Sequence, residues 1–114
     1  REMANEGHPL NRIKKMKLVQ KSIFKGKREF ELFESEIHIK IKSIFSEKNL
    51  VIPLVILNPE PIINKNELDF HSRVKCGPLF SLYINKPSFE AFKFFSEAIS
   101  QKATQAYNSF SGMK

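Results

Sequence analysis

The sequence predicts an α+β protein, mainly β, in which six to seven antiparallel strands precede one C-terminal amphipathic helix. Three observations carry this prediction. Apolar and polar residues alternate with a period of two in segments between residues 16 and 84. Turn-forming residues, glycine and proline among them, separate these segments. After residue 87 the apolar residues recur at steps of three and four, which is typical of a helix that buries one face.

Length and composition limit the chain to one domain that can bury a core. It has 114 residues, of which 41% are hydrophobic and 27% charged, and this balance excludes a disordered or low-complexity protein. A single cysteine excludes a disulfide framework. We expect residues 16–110 to form the domain. Residues 1–15 are predicted to be a polar, basic lead-in, either disordered or introduced by cloning.

The first three strands are predicted at residues 17–24, 28–33 and 37–42. Gly26 lies in the first hairpin, where glycine supplies the positive φ that a tight loop requires. The alternation in the first strand is irregular, so we expect a bulge or an edge position there.

The pairing of the second and third strands follows from a two-residue turn at Glu34-Ser35. Leu32 then faces Ile37, and Phe30 faces Ile39, on the inner side of the sheet. The outer side pairs Glu31 with His38 and Glu29 with Lys40, which are compatible charges across the ladder.

The second half of the chain is predicted to hold three more strands. Residues 50–57, after a turn at 46–49, form a nearly unbroken apolar run. Pro53 has no N–H to donate, so this strand is expected at an edge or to bulge there. Residues 58–61 are predicted as a loop. Further strands are predicted at 79–84 and at 67–74, with Leu68, Phe70 and Val74 inward and Asp69, His71 and Arg73 outward.

The helix is predicted over residues 88–110, with Ser88 or Asn85 as its N-cap. At 1.5 Å per residue it is about 34 Å long, whereas about 20 Å covers one end of a small sheet structure. Residues 104–110 are therefore expected to overhang. The apolar stripe consists of Phe89, Phe92, Phe95, Ile99, Ala103, Ala106 and Phe110.

Several segments in this order resemble the bacterial pleckstrin-homology-like (PH-like) domains. The segments that carry the resemblance are Lys27-Arg28-Glu29-Phe30-Glu31-Leu32, Ile37-His38-Ile39-Lys40-Ile41, Val51-Ile52-Pro53-Leu54 and Ser88-Phe89-Glu90-Ala91-Phe92. The resemblance implies an antiparallel barrel of two near-orthogonal sheets whose open end is capped by the helix. It also implies binding of phosphoinositides, peptides or proteins rather than catalysis. The chain lacks the basic-x-Arg triplet before Arg28 and the helix tryptophan of the phosphoinositide binders.

The inventory of reactive residues predicts no enzyme, no metal site and no cofactor. The three histidines, His8, His38 and His71, have no second ligand at metal-binding spacing. Cys76 lies in a Gly-Pro turn without a positioned base. The four glycines form no phosphate-binding loop.

The basic excess predicts one candidate ligand site. Residues 1–28 carry nine basic and two acidic side chains, whereas residues 29–114 carry ten of each. A phosphate ligand or an anionic membrane surface would attract such a cluster, whereas nucleic acid is not expected because no aromatic residues are interleaved. The predicted ligand-binding residues are Lys21, Lys25, Lys27 and Arg28.

The helix predicts a second candidate site, for a protein partner or a second copy of the chain. Phe94 lies about 200° around the helix from Phe92, off the buried stripe. The predicted partner-binding residues are Phe94, Ala98, Tyr107 and Phe110. A non-catalytic binding module that docks a protein or itself is the first functional hypothesis, and anionic-surface binding is the alternative. No segment approaches the length of a membrane span, so a cytoplasmic location is expected, peripheral at the inner membrane surface under the alternative.

Overall fold

A computed structural model of the chain describes residues 16–22 and 26–111. The described residues contain seven strands, one 3₁₀ turn and one helix. They are β1 (Met16–Ser22), β2 (Gly26–Leu32), β3 (Glu36–Lys42), β4 (Glu47–Pro53), the 3₁₀ turn (Leu54–Ile56), β5 (Ile62–Asn64), β6 (Glu67–His71), β7 (Pro78–Tyr83) and α1 (Phe89–Ser111).

The strands form two antiparallel sheets, which confirms the mainly β, α+β prediction. The first sheet has the order β1-β2-β3-β4 and the second has the order β5-β6-β7, so each is a meander of chain neighbours. The sequence did not predict β5. This strand has three residues, all exposed, and is too short to show an alternation of buried and exposed positions.

The predicted register of β2 and β3 is confirmed on both faces. Leu32 pairs with Ile37, Phe30 with Ile39, Glu31 with His38 and Glu29 with Lys40. The N–H of Phe33 donates to the carbonyl of Glu36 at 2.9 Å, which closes the two-residue turn at Glu34-Ser35.

β1 occupies an edge of the first sheet and pairs with β2 without a bulge. Of the two expectations for this strand, the edge position is therefore confirmed and the bulge is not. Gly26 opens β2 with φ +88°, as the predicted tight hairpin requires. A Cβ at this position would also overlap the backbone of Lys42 on the neighbouring strand. Glycine is therefore required here both by conformation and by space.

The apolar run at residues 50–57 is not one strand, contrary to the prediction. β4 begins earlier, at Glu47, and ends at Pro53, and the chain then makes the 3₁₀ turn. Pro53 has no N–H with which to continue a ladder, and the next N–H, of Leu54, donates to the carbonyl of Ser35 at 3.0 Å. The edge position expected from Pro53 is confirmed. The turn predicted at residues 46–49 lies at 43–46 instead.

β6 is also shorter than predicted, and two residues, Val74 and Asp69, differ in burial from the prediction. It ends at His71, next to a register shift, so Val74 lies beyond the strand and is exposed. Asp69 is buried rather than outward, because its carboxylate accepts hydrogen bonds from Ser81 Oγ at 2.6 Å and Asn64 Nδ2 at 3.3 Å.

The core joins both sheets to the helix. The ring of Phe30 lies 6.0 Å from that of Phe80 in the second sheet and 6.2 Å from that of Phe95 in α1. Ser88 caps the helix, since its Oγ accepts from the N–H of Ala91 at 3.1 Å. The helix buries Phe92, Phe95, Ile99 and Ala103, whereas the two ends of the predicted stripe, Phe89 and Phe110, are exposed.

A buried glutamine ties the free edge of β1 to the second sheet. Gln20 is fully buried, and its Nε2 donates to the carbonyls of Tyr83 and Lys86, each at 2.8 Å. Its Oε1 accepts from the N–H of Tyr83 at 2.7 Å. One side chain therefore satisfies three backbone groups between the sheets.

Candidate functional site

The predicted basic site at the first hairpin is only partly assembled. Lys21 and Lys27 are direct cross-strand neighbours on the outer face of the first sheet, and Lys42 is the next neighbour of Lys27. These three lysines form a row across β1, β2 and β3, which we call the lysine row. Lys25 lies outside the described residues.

Arg28 does not belong to this row, because its side chain lies between the two sheets. Its Nη1 donates to Glu67 Oε1 at 3.1 Å and to the carbonyl of Ser81 at 2.9 Å. The guanidinium lies 4.0 Å from the ring centre of Tyr83. The sequence contained a signal for this, since Arg28 has the same parity in β2 as the buried Phe30.

Lys27 is partly neutralised within its own strand. Its Nζ lies 2.9 Å from a carboxylate oxygen of Glu29. The hydrogen bond from Lys27 holds the pKa of Glu29 below its ordinary value, opposed by some desolvation of the carboxylate. Any stability that this partly exposed pair adds is present above the ordinary pKa of a glutamate and is lost as the pH falls through the lowered pKa.

The predicted partner-binding residues lie on different sides of α1. Phe94 is 68% exposed, whereas Ala98 is half-buried and packs against the core. Tyr107 is exposed and has the guanidinium of Arg73 3.9 Å from its ring centre. At about 100° per residue, Phe110 lies about 160° around the helix from Phe94. These residues therefore do not form one patch.

Phe110 borders a groove between the end of α1 and the β2–β3 turn, which we call the helix-end groove. It has a volume of about 770 Å³. Two carboxylates stand at its rim: Glu34, 3.2 Å from Lys102 Nζ, and Glu36, 2.6 Å from His38 Nε2. The apolar part of its lining consists of Pro53, Val55, Ala106 and Phe110.

A third surface, the β3–β4 hairpin tip (residues 43–46), was missed from the sequence. Ile44 and Phe45 at this tip are exposed. Two large apolar residues within a turn segment, flanked by Lys42 and Lys48, were the available signal.

The histidines and the cysteine of the described part of the chain do not form a metal-binding group. The Nε2 of His38 lies 2.6 Å from Glu36 Oε2, and the ring centre of His38 lies 4.6 Å from that of Phe33. Cys76 is exposed. Across residues 16–22 and 26–111, no group of three or more histidine, cysteine, aspartate or glutamate side chains could hold a metal ion. His8 lies outside this part of the chain.

Comparison with models of known protein families, with curated proteins and with solved structures finds no match for this chain. In the part of the chain that the structure describes, α1 is the one helix of substantial length, and it is not apolar enough to cross a membrane.

Proposed function

We propose that the chain is a non-catalytic binding module with the architecture of a PH-like barrel. A four-stranded and a three-stranded antiparallel sheet followed by one C-terminal helix is the order that the resemblance implies. Two contacts support closure of the sheets into a barrel: the Gln20 bridge from β1 to β7 and the isolated pairing of Leu57 with Ser72. The buried residues of α1 belong to the same core as those of both sheets, which supports a helix that caps such a barrel.

The helix-end groove supports docking of a protein segment. The observation that carries this is Phe110, whose side chain is 63% exposed at the rim of a groove with Pro53 and Val55 in its wall. An apolar side chain placed there would bury this ring. Because Glu34 and Glu36 border the groove, the segment that fits carries lysine or arginine next to its apolar residue. A partner protein or a second copy of the chain supplies it.

The Phe110→Asp variant tests this docking. We expect peptides selected from a random phage-displayed library to carry an aromatic or aliphatic residue beside a basic one and to bind Phe110→Asp at least about ten-fold more weakly, since a carboxylate replaces the apolar rim. Phe94→Asp is the matched control, because Phe94 is equally exposed on the other side of the helix. Light scattering after size exclusion at rising concentration shows whether a second copy is the occupant. Peptides that bind both variants as well as the parent would refute the groove.

For the alternative function, binding to an anionic surface, the first hairpin is a weaker candidate site than the sequence predicts. Arg28 is held between the sheets, and Lys27 is paired with Glu29. The residues that favour such a surface lie instead at the neighbouring β3–β4 hairpin tip.

A further inference from the structure

The β3–β4 hairpin tip holds two large apolar side chains almost completely in water. Ile44 is 88% exposed and Phe45 is 95% exposed. Hydrogen bonds close the turn that carries these two residues. The N–H of Ser43 donates to the carbonyl of Ser46 at 2.9 Å, and the hydroxyl oxygens of Ser43 and Ser46 lie 2.9 Å apart. The tip is therefore an ordered projection whose apolar residues gain nothing from the core.

Lysines surround this tip. The lysine row reaches it through Lys42, and Lys40 and Lys48 lie on the two strands that the tip connects. With Lys21 and Lys27 this makes five lysines on this end of the sheet. Lys27 lies 2.9 Å from a carboxylate oxygen of Glu29 and Lys40 lies 3.8 Å from one of Glu47, so the lysines exceed these two carboxylates by three positive charges. A projecting apolar tip surrounded by lysines is complementary to a bilayer that contains anionic lipid. The apolar side chains match the acyl interior, and the lysines match the anionic headgroups above it.

We propose that the β3–β4 hairpin tip docks on a bilayer containing anionic lipid, with Ile44 and Phe45 inserted below the headgroups and the lysines on the lipid phosphates. This surface goes beyond the protein-docking function, because the helix-end groove lies at the other end of β3, about 20 Å away. Both surfaces can therefore be occupied together. The sequence Lys-Ser-Ile-Phe also stands at residues 21–24. Residues 23–25 lie outside the described residues.

The absence of tryptophan from the chain provides a direct test, because Phe45→Trp introduces a single reporter at an exposed position. With vesicles in which about a third of the lipid is phosphatidylglycerol, we expect its emission to shift to the blue and to be quenched by lipids brominated on the acyl chain. Phosphatidylcholine vesicles should shift it much less. Phe94→Trp, on the exposed side of the helix, is the matched control and should not shift.

Two further variants separate the apolar and the charged contributions in vesicle sedimentation. Phe45→Asp should weaken binding at least about ten-fold, because a charge replaces the inserted ring. Lys42→Glu should weaken it by more than about five-fold, the effect expected from removing one lysine from an anionic surface, and raised salt should weaken the binding of the parent. Both positions are exposed, so the thermal unfolding of both variants should match that of the parent.

Three outcomes would overturn the proposal. The first is a Phe45→Trp emission that is the same with and without anionic vesicles. The second is an equal shift produced by inorganic phosphate alone, which would indicate a free-anion site. The third is a shift that grows with protein concentration in the absence of lipid, which would identify a second copy as the occupant of the tip.

Discussion

Phe30→Ala is expected to lower the free energy of unfolding by about 3–5 kcal/mol, the largest stability effect of any single substitution considered. Phe30 has no exposed surface, and its ring meets Phe80 of the second sheet and Phe95 of the helix. Truncation would leave a cavity where the three layers meet. Urea unfolding followed by circular dichroism measures the change.

Two variants make this result interpretable. Phe30→Leu keeps most of the volume and should cost less than half as much as Phe30→Ala. Phe94→Ala removes the same ring from an exposed site on the helix and should change the free energy of unfolding by about 0.5 kcal/mol or less. Equal losses for Phe30→Ala and Phe94→Ala would mean that the sheets and the helix do not share one core.

Gln20→Ala is expected to lower the free energy of unfolding by about 2–4 kcal/mol, because it removes three hydrogen bonds at a fully buried site. The N–H of Tyr83 and the carbonyls of Tyr83 and Lys86 would lose this partner. Gln20→Leu should be comparably destabilising, since it restores the volume but not the hydrogen bonds. Thermal or urea unfolding of both variants measures the effect.

The matched control for this position is Gln101→Ala, which changes the same residue type on the exposed side of α1. Its stability should stay within about 0.5 kcal/mol of the parent. If Gln20→Leu were as stable as the parent, the bridge between β1 and β7 would contribute nothing, and the support it gives to a closed barrel would be lost.

The register of β2 and β3 could be predicted because it is determined by residues that are close together in sequence. A two-residue turn fixes the pairing, and both the apolar face of Phe30 and Leu32 and the charged face of Glu29 and Glu31 agree with it. The N-cap at Ser88 is predictable for the same reason: it depends on residues within one helical turn.

The bonding partners of Gln20 and Arg28 could not be predicted because they are distant in sequence. Gln20 bonds residue 83 and Arg28 bonds residue 81, both on β7, which pairs with neither strand. A polar residue at an inward position is stable only if such a partner exists. The sequence pattern alone does not indicate which strand supplies it.

The candidate surfaces were harder to predict than the fold for a related reason. Periodicity indicates which helix face is buried, and it correctly left Phe94 exposed. The helix-end groove, however, depends on where the chain goes after Pro53, and the apolar run at residues 50–57 predicts a strand where the 3₁₀ turn forms the wall of the groove. The β3–β4 hairpin tip is not predicted because the sequence pattern puts this turn at residues 46–49, three residues after its position in the structure.

Docking at two separate ends of one domain is tested most directly by an amide-resolved NMR titration with anionic bicelles. We expect the signals of residues 43–47 and of the lysine row to broaden first, while those of residues 101–110 stay unchanged. Broadening that is strongest along the helix end, or uniform over both sheets, would contradict it.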